Sequence, residues 1–229
     1  MTAGDKRGAP ASSAGSFAET FKVSHETIHS LQRYVELLEH WQKTTNLVAP
    51  STLPEVWNRH IADSAQLAGL APNARLWLDL GSGGGFPGLV VAILKSGDPA
   101  FRMHLVESNQ KKCAFLSEVV RALKAPVDIH AMRIEQFAEK AQSLRPDVVS
   151  ARALAPLTRL LELAEPFLRE ETRGIFLKGR DTATEIATAE ARWQFDCVCH
   201  PSLTADDARI VEIQNLRRRH PLAEMRCGS

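Results

Sequence analysis

Leu76-Trp77-Leu78-Asp79-Leu80-Gly81-Ser82-Gly83-Gly84-Gly85-Phe86-Pro87-Gly88 is the stretch from which the rest of this chain is read. An apolar run ends in an acidic residue, passes through a glycine-rich turn and resumes as a second apolar run from about Leu89. The first run predicts a buried strand and the second a helix. Glycines suit a tight turn that lets a ligand approach the backbone closely. The helix start behind it offers free N–H groups and the positive end of a dipole.

Two nucleotide-cofactor readings are open here. Gly83, Gly85 and Gly88 satisfy the GxGxxG dinucleotide fingerprint, which leads to a nicotinamide-linked oxidoreductase. Counted from the first glycine after the strand, the pattern is Asp79-x-Gly81-x-Gly83-x-Gly85, and Phe86 and Pro87 add bulk where a pyrophosphate would sit. That second pattern suits a cofactor with an amino-acid moiety, whose ammonium a carboxylate or carbonyl can hold. S-adenosylmethionine is such a cofactor. The next apolar run, 103–106, ends in Glu107, where an α/β nucleotide site keeps its ribose-hydroxyl acceptor.

Working outward, short apolar runs at 76–80, 103–106, 127–131, 147–150 and 175–178 alternate with amphipathic stretches such as 111–123 and 157–168. This alternation predicts a doubly wound α/β sheet, mainly parallel. The runs 195–199 and 209–214 lie close together and read as a hairpin, which places an antiparallel strand among parallel ones. Ahead of the sheet, Ile28, Leu31, Val35, Leu38 and Trp41 recur at helical spacing behind Ser24 as N-cap, with Tyr34 and Leu37 widening the stripe. A second helix is expected from Thr52, with Thr52 and Glu55 at capping-box spacing. The expected organisation is a flexible tail (1–16), an N-terminal helical cap (17–74), a cofactor-binding core (75–216) and a basic C-terminal tail (217–229).

Composition narrows the function classes. At 44% hydrophobic and 24% charged residues, the chain is neither disordered, collagenous nor a disulfide scaffold. Its longest apolar stretch, 89–94, is far short of the roughly 20 residues of a membrane span. A net charge of +1 with 6% aromatics argues against a general single-strand nucleic-acid binder, so any such contact is local. Cys113, Cys197, Cys199 and Cys227 form no repeated CxxC, and the start of the chain lacks an apolar signal segment, so a cytoplasmic protein is expected. Cys197 and Cys199 share one strand face with His200 next to them, yet the four ligands of a zinc site are missing; no metal is expected.

At this point the chain resembles a known family. Asp79 to Gly88 resembles the cofactor loop of the bacterial 16S ribosomal RNA guanine-N7 methyltransferases, also called the glucose-inhibited division protein B family, whose habit is the proline–glycine ending. Arg59-His60-Ile61-Ala62-Asp63-Ser64 resembles its Arg-His-Ile-x-Asp-Ser signature, Arg152-Ala153-Leu154-Ala155 its Arg-Ala-x-Ala segment, and Leu177-Lys178-Gly179 its Leu-Lys-Gly segment. Trp41 and Asn46-Leu47 also fit, and the likeness runs from about residue 24 to 214. Ala151 stands where many relatives have serine.

The resemblance implies a class I S-adenosylmethionine-dependent methyltransferase fold with strand order 3-2-1-4-5-7-6 and strand 7 antiparallel. It implies methylation of N7 of guanine 527, in the 530 loop of 16S rRNA, on the small ribosomal subunit or its assembly intermediate. Gly81, Phe86, Ile134, Glu135 and Arg152 are then the expected cofactor contacts, to which the residue pattern itself adds Gly83 and Glu107. Arg59, His60 and Lys178 are expected on the RNA side. A monomer is expected, with the basic run 217–219 as a further candidate phosphate contact. Guanine N7 carries a lone pair and no proton, so the reaction needs alignment and water exclusion rather than a general base. No Ser/His/Asp set and no nucleophile loop is legible, which agrees. A methyltransferase acting on another RNA or a small molecule, and a non-catalytic RNA-binding module, are the remaining alternatives.

Overall fold

The computed structural model describes residues 11–219. Seven strands form one sheet in the order β3-β2-β1-β4-β5-β7-β6. They are β1 (Leu76–Leu80), β2 (Arg102–Glu107), β3 (Val127–Ala131), β4 (Val148–Arg152), β5 (Arg173–Lys178), β6 (Trp193–Pro201) and β7 (Arg209–Arg218). Strands β1 to β5 pair in parallel, while β7 runs antiparallel to both β5 and β6. The order and the reversed strand are those the family resemblance implies.

The helices are α1 (Ala14–Phe21), α2 (His25–Gln42), α3 (Asp63–Leu70), α4 (Gly88–Leu94), α5 (Gln110–Leu123), α6 (Ile134–Lys140), α7 (Leu157–Ala164) and α8 (Thr182–Glu190). Successive strand residues face opposite sides, so Trp77 and Leu78 enter different cores. Trp77, Leu105 and Ile175 join Leu31 and Leu38 of α2, residues of α4 and α5, and Phe17 of α1 in one apolar cluster. Leu78, Val106, Val149, Phe176 and Val211 join α6, α7 and Trp193 in the other. A central strand buried on both faces has no use for a polar alternation, which is why β1 is almost continuously apolar. The N-terminal helices therefore share their core with one face of the sheet.

Three local features depart from the sequence pattern. Helix α1 begins at Ala14, with Ser13 and Ser16 in a capping box, inside the stretch expected as tail; residues 1–10 lie outside the described ones. The segment expected as a single helix from Thr52 is a 3-10 turn (Pro50–Glu55), a π-helical turn (Trp57–Ala62) and α3, without a side-chain cap. Thr52 is turned to other partners, described below. The arginines of 217–219 continue or follow β7, and the antiparallel register that pairs Lys178 with Arg209 carries β7's far end to the opposite edge of the sheet from the strand tips. There Arg218 lies 4.9 Å over the Trp193 ring and 3.6 Å from Glu165. Among the described residues no helix is long and apolar enough to cross a membrane.

Candidate active site

The carboxyl ends of β1, β4 and β5, the segment 47–52, and the β6–β7 loop surround a cavity of about 660 Å³. The glycine loop forms its floor. Gly81 and Gly83 have φ of 66° and 55°, left-handed values that favour glycine. A Cβ on Gly83 would meet only the Gly81 carbonyl, 3.8 Å away, so this position borders open cavity. At Gly88 a Cβ would lie 2.4 Å from Leu105 and 2.9 Å from the Asp79 carboxylate, so helix α4 can start here only without a side chain.

The N-terminal helices hold the loop from above. Tyr34, fully buried on α2, donates its hydroxyl proton to the Gly84 carbonyl. Gln42 accepts from the Leu47 and Val48 amides at 3.0 and 3.1 Å, fixing the segment whose Leu47 carbonyl sits 3.1 Å from where a Gly84 Cβ would be. The single tyrosine of the chain, set in an apolar helical stripe, is the sequence signal for this clasp, because a buried phenol needs a hydrogen-bond partner. The partner itself lies 50 residues further along the chain and carries no local signal.

Asp79 is not among the residues that line the cavity. It is wholly buried, accepts from Ser150 Oγ at 2.7 Å, and Ser150 in turn accepts from the Trp77 indole at 2.9 Å. The other carboxylate oxygen has no hydrogen bond of normal geometry. Asp79 thus braces the loop through Ser150 and, being wholly buried, has no surface in the cavity with which to hold a ligand ammonium directly. Burial raises its pKa from 3.8 to about 6, against the lowering effects of Ser150, Ser82, the Gly88 amide and Arg152. The native state therefore holds this proton more tightly than the unfolded chain. The stabilisation it brings is complete below about pH 4 and is lost as pH rises through 6, a change of about 3 kcal/mol. Asp79→Asn is expected to remove that slope: urea midpoints of wild type and variant should diverge between pH 4 and 6, and parallel curves would contradict the assignment.

Above the loop lies a cluster centred on Arg152, at the tip of β4. Its guanidinium is 5.1 Å from the Phe86 ring centroid and donates to the Arg59 carbonyl at 2.9 Å, to Asp63 Oδ2 at 3.4 Å and to His60 Nδ1 at 2.6 Å. Arginine has donors only, so His60 carries its proton on Nε2 and donates it to Thr52 Oγ1 at 2.7 Å; Thr52 then donates to the Ala49 carbonyl at 2.7 Å. Burial first, then the charges of Arg152 and Arg59, lower His60 from 6.5 to about 3. The imidazole is neutral, with both nitrogens engaged. Phe86 is buried beneath it, 4.9 Å from His60 and 5.3 Å from Tyr34 between ring centroids.

The family model described as rRNA small subunit methyltransferase G matches this chain over residues 27–213, a span that holds the glycine floor and the Arg152 cluster. The chain belongs to this family. The Ribosomal RNA small subunit methyltransferase G of Parvibaculum lavamentivorans is 50% identical to it over 202 residues, 88% of each chain. That of Methylorubrum populi is 51% identical over 199 residues, 87% of this chain and 93% of its own. Among solved structures, cofactor-bound Rv0187 from MTB has a TM-score of 0.57 at 13% identity, covering 81% of this chain and 90% of its own. A mutant of MtNAS in complex with S-adenosylmethionine has a TM-score of 0.52 at 15% identity, covering 88% and 83%. At such identities these two show a shared fold, that of class I methyltransferases. Membership of the methyltransferase G family removes the oxidoreductase reading of Gly83, Gly85 and Gly88.

The structure distributes the expected site residues of this methyltransferase G family member unevenly. Gly81, Gly83, Phe86 and Arg152 line the cavity together with Arg59, His60 and Lys178. Glu107 stands behind Gly83, accepting from its amide at 2.9 Å and from the Asn109 amide at 2.7 Å. Ile134 and Glu135 are outside the cavity lining: Ile134 packs into the core, and Glu135 is exposed, 2.8 Å from Arg159. His60 lies under Arg152 rather than at the mouth. Lys178 reaches inward, with Nζ 2.6 Å from Glu185 and 3.0 Å from the Ala155 carbonyl. Residues without a sequence signal also line the cavity, among them Lys112, Arg180, Thr204 and Asp207. No cluster of three or more possible metal ligands occurs among the described residues.

Proposed function

We propose that this protein transfers a methyl group from S-adenosylmethionine to N7 of guanine 527 in the 530 loop of 16S rRNA, by direct in-line attack without a general base. The cofactor is S-adenosylmethionine, which supplies an electrophilic methyl on a sulfonium sulfur. Gly81 and Gly83 let it approach the backbone, and Glu107 retains acceptor capacity beside Gly83 for a sugar hydroxyl. Ile134 and Glu135 are assigned to the adenine end, beyond the cavity described above.

The observation that carries the reading is that none of the titratable groups clustered directly above the glycine loop is a disengaged base. His60 has both nitrogens in hydrogen bonds and is neutral. Asp63 is occupied by Arg152 and by the Thr204 hydroxyl, at 2.8 Å. Tyr34 is turned to Gly84, and burial raises its pKa well above the usual phenol value. A site that removes a proton from its substrate needs such a group; guanine N7 gives up none. With the cofactor bound, the N7 lone pair would form the new N–C bond as the C–S bond breaks, the electron pair leaving with sulfur. The guanine ring becomes cationic. Asp63 opposes the charge of Arg152, so the cation over Phe86 does not confront that ring unbalanced.

The exposed cations Arg59 and Arg180, with Lys112, are placed to meet RNA phosphates at the mouth, and Lys178 holds the wall from within. The substrate is the small ribosomal subunit or an assembly intermediate of it, modified in the cytoplasm by a monomer. The test is atomic. Purified protein with labelled S-adenosylmethionine is expected to methylate 16S rRNA in such particles, and to methylate nothing when 7-deazaguanine, which has carbon in place of N7, stands at position 527. Undiminished labelling of the deaza substrate would contradict N7.

A further inference from the structure

Two carboxylates line the cavity, and they stand in opposite conditions. Asp63 is spent on Arg152, Thr204 and Gln66. Asp207, in the β6–β7 loop, faces Arg180 across 3.9 Å, longer than a hydrogen bond, with 63% and 79% of the two side chains exposed. The loop that carries it is fastened. Gln66 of α3, itself buried, accepts from the Leu203 amide at 2.7 Å and donates to Ser202 Oγ at 3.3 Å, and Thr204 donates to Asp63. Asp207 therefore presents its acceptors from an anchored wall.

Its position suits one edge of a purine. The glycine loop follows β1, while β7, which the loop enters, is three strands away in the sheet, roughly 14 Å at the usual spacing. A guanine whose N7 points toward the glycine-loop side turns its Watson–Crick edge toward the β6–β7 wall. That edge carries two adjacent donors, N1–H and the N2 amino group, and a carboxylate offers two adjacent acceptors. Adenine presents an acceptor at N1 and would be repelled. We propose that Asp207 is the specificity-determining residue for guanine, accepting from N1–H and N2–H of the target base. Arg180 beside it is a donor for O6 or for a flanking phosphate. The proposal rests on the guanine reading above and adds the residue that selects the base.

The experiment is a functional-group cycle. Wild type, Asp207→Ala and Asp207→Asn are each assayed on 16S rRNA particles with guanine or inosine, which lacks the N2 amino group, at position 527. Wild type is expected to lose about tenfold in kcat/KM on inosine. Asp207→Ala is expected to lose at least that much on guanine and to show no further loss on inosine, with S-adenosylmethionine affinity unchanged in calorimetry. Losses that multiply, or an Asp207→Ala enzyme as active as wild type on guanine, would overturn the assignment. If the wild-type product carries no N7 methyl, the guanine reading itself fails, and that outcome is separate from the pattern of losses.

Discussion

Arg152→Ala is expected to lower methyl transfer by at least about a hundredfold, because one side chain organises most of the polar groups above the glycine loop. Its removal leaves His60 Nδ1, Asp63 Oδ2 and the Arg59 carbonyl without their donor and takes the cation off the Phe86 ring. Breaking a pair this enclosed costs about 3 kcal/mol or more, so part of the effect should appear as a lower melting temperature. Arg152→Lys keeps the charge but cannot reach three acceptors from one planar fork, and is expected to recover stability more than turnover. Single-turnover rates and melting curves on both variants check this. An alanine variant within threefold of wild type would show that the cluster is scaffolding.

Gly83→Val is expected to weaken S-adenosylmethionine binding by at least a hundredfold while the protein still folds. The left-handed φ of 55° strains a β-branched residue by about 1–2 kcal/mol, which a domain of ordinary stability tolerates. The branched side chain would project into the open cavity, since nothing but the Gly81 carbonyl lies within 4 Å of its Cβ. Calorimetry measures the affinity, and circular dichroism the fold. Gly83→Ala should fall between the two, because it imposes the strain with little of the bulk. Unchanged affinity in the valine variant would place the cofactor elsewhere.

What the sequence disclosed and what it concealed divide along a physical line. The strands at 76–80 and 127–131 were legible to the residue, since burial on both faces or at an edge is written into local hydrophobic pattern. The glycine loop was legible because positive φ and close approach demand glycine. Partnership was not. His60 reads as a cationic or base-contacting residue until Arg152, far along the chain, is seen to occupy one nitrogen and Thr52 the other. Lys178 reads as a phosphate contact until Glu185 folds back onto it. Thr52 and Glu55 have capping-box spacing, but Thr52 is recruited by His60, and tertiary contacts override the local signal. The arginines of 217–219 read as a rim contact until strand direction sends them to the other edge of the sheet. Asp207 carried no signal at all, because an exposed aspartate in a loop is ordinary until the loop is found at the cavity wall.

Installation of the N7 methyl at guanine 527 of 16S rRNA by this chain is read most directly from a map of N7-methylguanine along 16S rRNA from cells with and without its gene. N7-methylguanine makes the strand cleavable at the modified base, so the map has single-nucleotide resolution. The modification is expected at position 527 in the presence of the gene, with its loss on deletion and its return when the wild-type chain, but not Arg152→Ala, is restored. Methylation that persists at position 527 after deletion would show that another enzyme installs it.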